Sequence, residues 1–361
     1  MLQGELEPAT ERIEFALGVA EALDLPEVFS EALNTRGGIL RSLGRHREGG
    51  LLLEHALGVA LEHDLHEAAL RAYWNLMVLE SSRERWAEVS RLIQSGLELA
   101  RRAGIRQFES EFLAATVEPF VEMGQWNEAA AHAEESAQLQ IESESVWDLN
   151  VHASTALVCA WRGDLPRARE RLGRLEPYVT SDALEMRTAF ASVRATVLNA
   201  EGDHAEAQQV ATAALKEGAE ALGGTMNANI RAAVVQALEA AFALGDVGAV
   251  EALLEMFEHV PPGHSTPSVR AHGARASARL MALRGESTGV DEGFMAAAAL
   301  FRELPAPYWL AVTLAEHGEW LATQGRDGEA EPLLAEARSV FEELGARPWL
   351  ERLDVRTKVS A

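Results

Sequence analysis

A short polar turn that contains glycine recurs along this chain about every 40 residues. The turn glycines are Gly44, Gly124, Gly163, Gly202, Gly245, Gly285 and Gly325, which lie 80, 39, 39, 43, 40 and 40 residues apart. The gap of 80 is a doubled interval, and Glu84 stands where its missing turn glycine would be. Each turn lies between two stretches with apolar residues at helical spacing, and glycine suits the left-handed conformation that ends a helix. The pattern therefore predicts eight units, each made of a helix, a tight turn and a second helix.

Small residues recur at a fixed place in the second helix of each unit. Five residues after each turn position stand Gly49, Val89, Ala129, Ala168, Ala207, Val250, Val290 and Ala330. Small side chains there let the two helices of a unit approach closely. One helix pair cannot bury both of its apolar faces, so stacked neighbours must supply a continuous core. The pattern predicts a helical solenoid.

The amino-acid composition favours helices, and the net charge disfavours some classes of binding partner. Apolar residues make up 48% of the chain, Ala and Leu dominate, and β-branched residues are sparse. The net charge of −24 disfavours direct binding to nucleic acid or to an anionic membrane. A single cysteine, Cys159, excludes an internal disulfide and favours a reducing compartment. We see neither a membrane span nor a signal peptide, so we expect a cytoplasmic location.

The repeat resembles the tetratricopeptide repeat (TPR) family, in its variety of about 40 residues. The closest stretches are ALNTRGGILRSLGRHREG (32–49), with Gly37 at the small position of the first helix, and HGEWLATQGRDGEAEPLLAEA (317–337), with Gly318 there. The resemblance implies an all-α fold, an open right-handed solenoid of antiparallel helix pairs. We expect one solenoid over 1–361, with an N-terminal half-repeat at 8–25, eight repeats over 27–345, and a C-terminal capping helix and tail at 347–361.

The stretch LAEHGEWLATQGRDGEAEPLLAEARSVFEELGARPWLERL (314–353) resembles the C-terminal repeat arms of bacterial signalling ATPases, including LuxR-type regulators and cyclase-linked ATPases. That resemblance implies a sensor or regulatory arm of a larger bacterial signalling or transcription-regulating protein, with ATPase or cyclase domains in the longer parent chain. The chain itself contains no G-x-x-x-x-G-K-[ST] phosphate-binding motif. The alternative is a stand-alone intracellular receptor for a short peptide or small molecule.

In the TPR family the first helices line an inner groove, and this implies which residues meet a partner. The groove positions include Asn34, Arg41, Trp74, Asn75, Glu118, Asn150, Asn199, Glu239, His272, Arg275, Arg279, Glu316 and Glu319. We expect a protein or peptide partner there. For the large aromatic Trp74, packing on the next helix is an equal alternative.

A basic stripe on one helix is unexpected in so acidic a chain. His272, Arg275 and Arg279 recur at helical spacing, and guanidinium groups can bind a carboxylate or phosphate bidentately. Glutamates at equivalent positions of the neighbouring first helices could instead pair with these arginines. Sequence alone leaves both readings open.

Nothing in the sequence indicates catalysis, a metal or a cofactor. No Ser/His/Asp or Cys/His arrangement has a recognisable local motif, and no His or Cys pair has a convincing third ligand. An enzyme on a closed α/α barrel is the less favoured alternative, because such enzymes need longer catalytic loops than these short turns. We expect a non-enzymatic interaction protein.

Overall fold

The computed structural model describes residues 3–138, 146–222, 224, 227–258, 260 and 265–360, and within these ranges every regular element is a helix. The chain separates into two compact units. Unit 1 comprises Met1–Pro119 with Glu134–Ser143, and unit 2 comprises Phe120–Ala133 with Glu144–Ala361.

The first eight helices, of which α7 and α8 are divided between the two units, pair as the repeat predicts. They are α1 (Gln3–Ala22), α2 (Pro26–Ser42), α3 (His46–Glu62), α4 (His66–Ser82), α5 (Trp86–Ala103), α6 (Arg106–Ala115), α7 (Val117–Glu122) and α8 (Trp126–Gln138). Helix α2 packs on α3 and α4 on α5, while α2 also contacts α4 directly. The first helices of neighbouring repeats are therefore themselves neighbours.

Unit 2 continues the pattern. Its further helices are α9 (Val146–Trp161), α10 (Leu165–Gly173), the 3₁₀-helix η1 (Glu176–Thr180), α11 (Leu184–Glu201), α12 (His204–Gly218), α13 (Ala228–Leu244), α14 (Val247–Glu258), α15 (Pro267–Leu283), α16 (Val290–Glu303), α17 (Pro307–Thr323), α18 (Asp327–Leu344) and α19 (Arg347–Ser360). Helix α11 contacts both α9 and α13, and α13 contacts α15. We call this succession of first helices, in either unit, the first-helix layer.

The predicted turn positions have the predicted backbone. The seven turn glycines have φ between 68° and 87°, in the left-handed region where a side chain is disfavoured. Glu84 has φ 60°, so the eighth turn keeps the same shape without glycine. The main-chain N–H of Gly44 donates to the oxygen of Arg41 at 2.9 Å, and that of Arg45 donates to the oxygen of Leu40 at 2.9 Å, which ends α2. The period of the sequence therefore corresponds to a repeated backbone geometry.

Close helix contacts explain the small residues. A Cβ added at Gly37 would lie 2.7 Å from Leu53 Cγ, and one added at Gly318 would lie 2.7 Å from Leu334 Cγ. Ala207 is completely buried. Both glycines that carry the resemblance therefore stand where the paired helix leaves no room for a side chain.

Pro119 interrupts the helix that precedes Gly124. Proline has no N–H, so the carbonyl of Ala115, four residues earlier, loses its helical partner. The helix divides there into α6, which ends at Ala115, and α7, which begins at Val117. Pro119 in the sequence predicts a kink in this helix, and the structure shows a break one residue long at Thr116.

The stretches KEGAEALGGT (216–225) and HVPPGHSTPS (259–268) predict two links that are longer than the rest. The structure places the first between α12 and α13 and the second between α14 and α15. Residues 223, 225, 259 and 261–264 of these links lie outside the described residues. None of the helices in the described ranges combines the length and apolarity needed to cross a membrane.

Candidate functional site

The first-helix layer of unit 2 contains a network of buried charge centred on Arg275 in α15. This side chain donates from Nε and Nη2 to the two carboxylate oxygens of Glu316 in α17, at 2.7 and 2.8 Å. It also donates from Nη1 to Glu239 Oε1 in α13, at 2.7 Å. Arg279 donates to the same oxygen of Glu239 at 2.8 Å. Three consecutive first helices therefore share a charge-assisted network, and its central pair, Arg275 and Glu316, is only 2% and 8% exposed.

Mutual attraction keeps this network ionised despite its burial. Burial favours the neutral acid of Glu239, but the charges of Arg275 and Arg279 outweigh it and lower the pKa of Glu239 to about 2. Burial likewise disfavours the Arg275 cation, but Glu239 and Glu316 raise its pKa above the ordinary value. The network therefore carries full charges at neutral pH, and these balance each other.

His272 does not add a third positive charge to the stripe. Its ring lies edge-on to Phe301 and Trp309, with centroid distances of 5.0 and 4.7 Å. Burial, and then the nearby charge of Arg275, lower the pKa of His272 to about 3. The ring is therefore neutral at physiological pH, and the basic stripe consists of the two arginines.

Pairing between neighbouring first helices continues on both sides of this network. Glu319 accepts a hydrogen bond from Arg352 Nε in α19 at 2.9 Å. Asn199 in α11 donates to the main-chain oxygen and the Oε1 of Gln236 in α13, at 2.9 and 3.0 Å. The structure thus shows the arginines and glutamates of the unit 2 stripe paired with each other, which is one of the two arrangements the sequence allowed.

Unit 1 brings two predicted groove residues together in a different way. Asn75 Nδ2 in α4 donates to Asn34 Oδ1 in α2 at 3.1 Å. Asn34 is 1% exposed, and its own Nδ2 is buried with no acceptor. Within the described part of the chain, Asn75 Oδ1 has no donor. A buried donor without a partner costs about 1–3 kcal/mol, so this pair has unused hydrogen-bonding capacity.

The other predicted groove residues lie on α2, α4, α7 and α9. Trp74 is half-buried and its ring lies 5.4 Å from that of Phe112 in α6, centroid to centroid, so it packs on the next first helix. Arg41, Glu118 and Asn150 are half-buried on α2, α7 and α9.

Arg162 joins the beginning of unit 2 to its end, although it is not one of the predicted groove residues. Its Nε donates to the main-chain oxygen of Leu344 at 2.9 Å, and its Nη2 donates to Asn127 Oδ1 at 2.8 Å. Arg347 Nε donates in return to the main-chain oxygen of Arg162 at 3.0 Å. The repeat pattern relates only successive units, so no sequence signal pointed to this contact.

Aromatic rings reinforce the same contact. Trp161 in α9 stacks on Tyr308 in α17 with centroids 4.6 Å apart, and Trp126 in α8 lies 5.6 Å from Trp161. The Arg162 guanidinium lies 5.5 Å from the centre of the Trp126 ring. These aromatic contacts therefore also hold the two ends of unit 2 together.

The described residues offer little for metal binding or nucleophilic catalysis. Among the described residues, no group of three or more His, Cys, Asp or Glu side chains could hold a metal ion. Cys159 is half-buried, and burial raises the pKa of its thiol, which keeps it protonated and weakly nucleophilic.

Comparison with known proteins identifies the fold. No protein-family model matches the chain, and no curated protein matches it. The chain is similar to the crystal structure of a Rap protein complexed with Competence and Sporulation Factor, at 15% identity and a TM-score of 0.58, over 92% of this chain and 98% of that one. It also aligns with yeast Tom70 at 13% identity over 99% of this chain and 88% of that one, but the TM-score of 0.39 carries no weight. The predicted all-α, TPR-like solenoid is confirmed, whereas the resemblance to LuxR-type and cyclase-linked ATPases stays a prediction.

Proposed function

We propose that this chain is a non-enzymatic scaffold that binds a protein or peptide on the first-helix layer of unit 1. The observation that carries the proposal is the Asn34–Asn75 pair, which holds an unused buried donor and an unused acceptor. Both residues lie on neighbouring first helices, at positions that the TPR resemblance assigns to the groove.

The chemistry of the pair suits an extended peptide. Each peptide residue other than proline presents one N–H and one C=O, and an asparagine amide supplies a complementary acceptor and donor. Asn75 is half-buried, so its Oδ1 can accept from a peptide N–H. A peptide that draws the Asn75 amide away from Asn34 uncovers the polar atoms of Asn34 for a second hydrogen bond. Satisfying the orphan Nδ2 then contributes to binding rather than opposing it.

The corresponding layer of unit 2 is less suited to a first encounter with a partner. Arg275 and Glu316 already satisfy each other with two hydrogen bonds in a nearly water-free setting. A ligand would have to break a buried ion pair before it gained any contact. We assign this network to the stability of unit 2.

The comparisons support binding and favour the stand-alone receptor as a second candidate. The Rap protein was crystallised with Competence and Sporulation Factor, and the similarity covers 98% of that chain. A receptor for a short peptide or small molecule therefore competes with the regulatory arm of a larger bacterial signalling protein. The full-length gene distinguishes them, since an adjoining ATPase, cyclase or DNA-binding segment would support the arm.

The binding site is tested with random seven-residue peptides displayed on phage and selected on the immobilised full chain. Selected peptides are synthesised with a fluorescent label and titrated by fluorescence polarisation. We expect Asn34→Ala and Asn75→Ala each to weaken binding about tenfold, since one hydrogen bond contributes about 1–1.5 kcal/mol. Gln94→Ala, an exposed polar change on the second helix α5, is the matched control. Selected peptides that bind all four proteins equally would exclude this site.

A further inference from the structure

A pocket lies in unit 2 where the array departs from its regular form. Helix α10 has nine residues, whereas the second helices α3 and α18 have 17 and 18. The chain leaves α10 at Gly173 and forms η1 instead of further helical turns. An open pocket of about 550 Å³ lies between α10, η1 and α11. That volume is within the range of sites for small organic ligands.

One part of the pocket lining is apolar. Leu172, Val179 and Phe190 line it, and Val179 is 44% exposed in the absence of a ligand. Phe190 continues into the core of unit 2, where it packs in one cluster with Leu175 and Val193. The apolar lining is therefore supported by the packed core of unit 2. A ligand with an apolar side chain would shield Val179 from water.

Two arginines line the same pocket and keep unused donors. Arg169 gives only its Nε to Glu201, and Arg194 gives only its Nη2 to Glu206. Their remaining guanidinium N–H groups have no acceptor among the described residues. Both side chains are well exposed, at 63% and 41%, so the existing ion pairs contribute little and do not prevent a second carboxylate from binding. Guanidinium groups match the geometry of a carboxylate, which gives the pocket a preference for an organic anion.

Glu176, at the start of η1, is the third charged residue of the lining. It is exposed and has no cationic partner among the described residues. A negative charge in the same pocket lining as two arginines disfavours a dianion and favours a ligand that carries an ammonium group as well as a carboxylate. An apolar α-amino acid has these three features, namely a carboxylate, an ammonium group and an apolar side chain.

We propose that this pocket binds an apolar α-amino acid. Arg169 and Arg194 hold the carboxylate, Glu176 meets the ammonium group, and the side chain lies on Leu172, Val179 and Phe190. The site is separate from the unit 1 layer, and it stands or falls independently of the peptide-binding proposal.

The test is calorimetric titration of the full chain with L-phenylalanine, L-phenylalaninamide and N-acetyl-L-phenylalanine. We expect L-phenylalanine to bind, and the amide, which lacks the carboxylate, to bind at least tenfold more weakly. The acetylated compound, which lacks the ammonium group, should bind more weakly than L-phenylalanine, and Glu176→Gln should remove most of that difference.

Two sets of variants locate the binding in the pocket. A Cβ at Gly173 would meet no atom within 4 Å, so Gly173→Leu is compatible with the backbone and adds a bulky side chain to the lining of the pocket. It should abolish binding, whereas Gly328→Leu, at an equally open helical glycine in α18, should leave it unchanged. Arg169→Met with Arg194→Met should weaken L-phenylalanine binding by tenfold or more. Circular dichroism establishes that each variant is folded.

Several results would overturn the proposal. These are no binding of L-phenylalanine up to its solubility limit, equal binding of the amide, or undiminished binding by the folded Gly173→Leu variant. Stronger binding of the acetylated compound than of L-phenylalanine would refute the amino-acid class.

Discussion

Arg162 Nε donates a hydrogen bond to the main-chain oxygen of Leu344, which lies 182 residues further along the chain. In a simple repeat array each unit touches only its neighbours, and stability is close to a sum of local terms. This contact instead connects the first and last repeats of unit 2, so the stability of each end depends on the other.

Arg162→Ala is expected to destabilise unit 2 by about 1–3 kcal/mol. It removes hydrogen bonds to Leu344 and Asn127 made by a charged donor, together with the contact on the Trp126 ring. Urea unfolding followed by tryptophan fluorescence measures the loss. Arg167→Ala, where the side chain is 75% exposed, is the control and should change stability by less than about 0.5 kcal/mol. Equal effects of the two changes would show that the long-range contact is unimportant in solution.

Arg275→Met is expected to cost about 3–5 kcal/mol, because it leaves the buried Glu316 carboxylate without its main partner. Adding Glu316→Leu should recover part of the loss, since an apolar pair of similar volume avoids the uncompensated charge. Thermal and urea unfolding of the single and double variants provide the comparison. A double variant less stable than Arg275→Met would contradict this account.

Acid should destabilise the fold through two groups, His272 and Glu239, whose pH ranges overlap only below about pH 4.5. His272 has a folded pKa of about 3, below its usual 6.5, so the unfolded chain binds the extra proton between these values. Stability therefore falls as pH falls from about 6.5 to 3, by at most about 1.4 kcal/mol per pH unit for this one group. Glu239 has a folded pKa of about 2, below its usual 4.5, so its stabilising effect is lost between about pH 4.5 and 2.

Measurements above the pH range of Glu239 isolate the contribution of His272. Unfolding free energies measured between pH 6 and pH 5 should have a clearly smaller slope in His272→Gln than in the unchanged chain. His317 also has a lowered pKa, caused mainly by burial, and leaves a residual slope in both proteins. An identical slope in the two proteins would mean that His272 is protonated in the folded state.

Ala207→Leu should force α11 and α12 apart at a place where no space remains. The side chain of Ala207 is fully buried, and overpacking of this kind typically costs about 1–3 kcal/mol. Ala205→Leu, on the exposed side of the same helix, controls for the change in helix propensity. The two variants are compared by differential scanning calorimetry. The same Tm for both would show that Ala207 does not lie at a close contact between α11 and α12.

Most of the fold follows from one periodicity, because the turn conformation depends on local residues. Glu84 shows this well, since its position in the period predicted a turn and its φ of 60° matches the glycines. Periodicity also places Glu239, Arg275 and Glu316 on the inner stripe of successive first helices, six, ten and nine residues before their turn glycines, which is why their pairing could be anticipated. Whether they would bind a ligand or each other depended on burial, which a sequence pattern does not reveal.

Contacts beyond the nearest repeat were not predictable. The curvature that brings Arg162 to Leu344 accumulates from small rotations between repeats, and no residue pattern encodes their sum. The pocket beside Gly173 was missed for a related reason. The space left by a shortened helix depends on how its neighbours pack.

The hydrogen bond between Arg162 and Leu344 also bears on how such a chain can change over evolution. Repeat proteins commonly gain and lose whole repeats by duplication and deletion, since each new copy needs only a matching neighbour. In unit 2 an added or missing repeat would carry Leu344 out of reach of Arg162 and separate Trp161 from Tyr308. The contact between the two ends of unit 2 therefore fixes its number of repeats. We expect this part of the chain to diversify by point substitution rather than by changes in length.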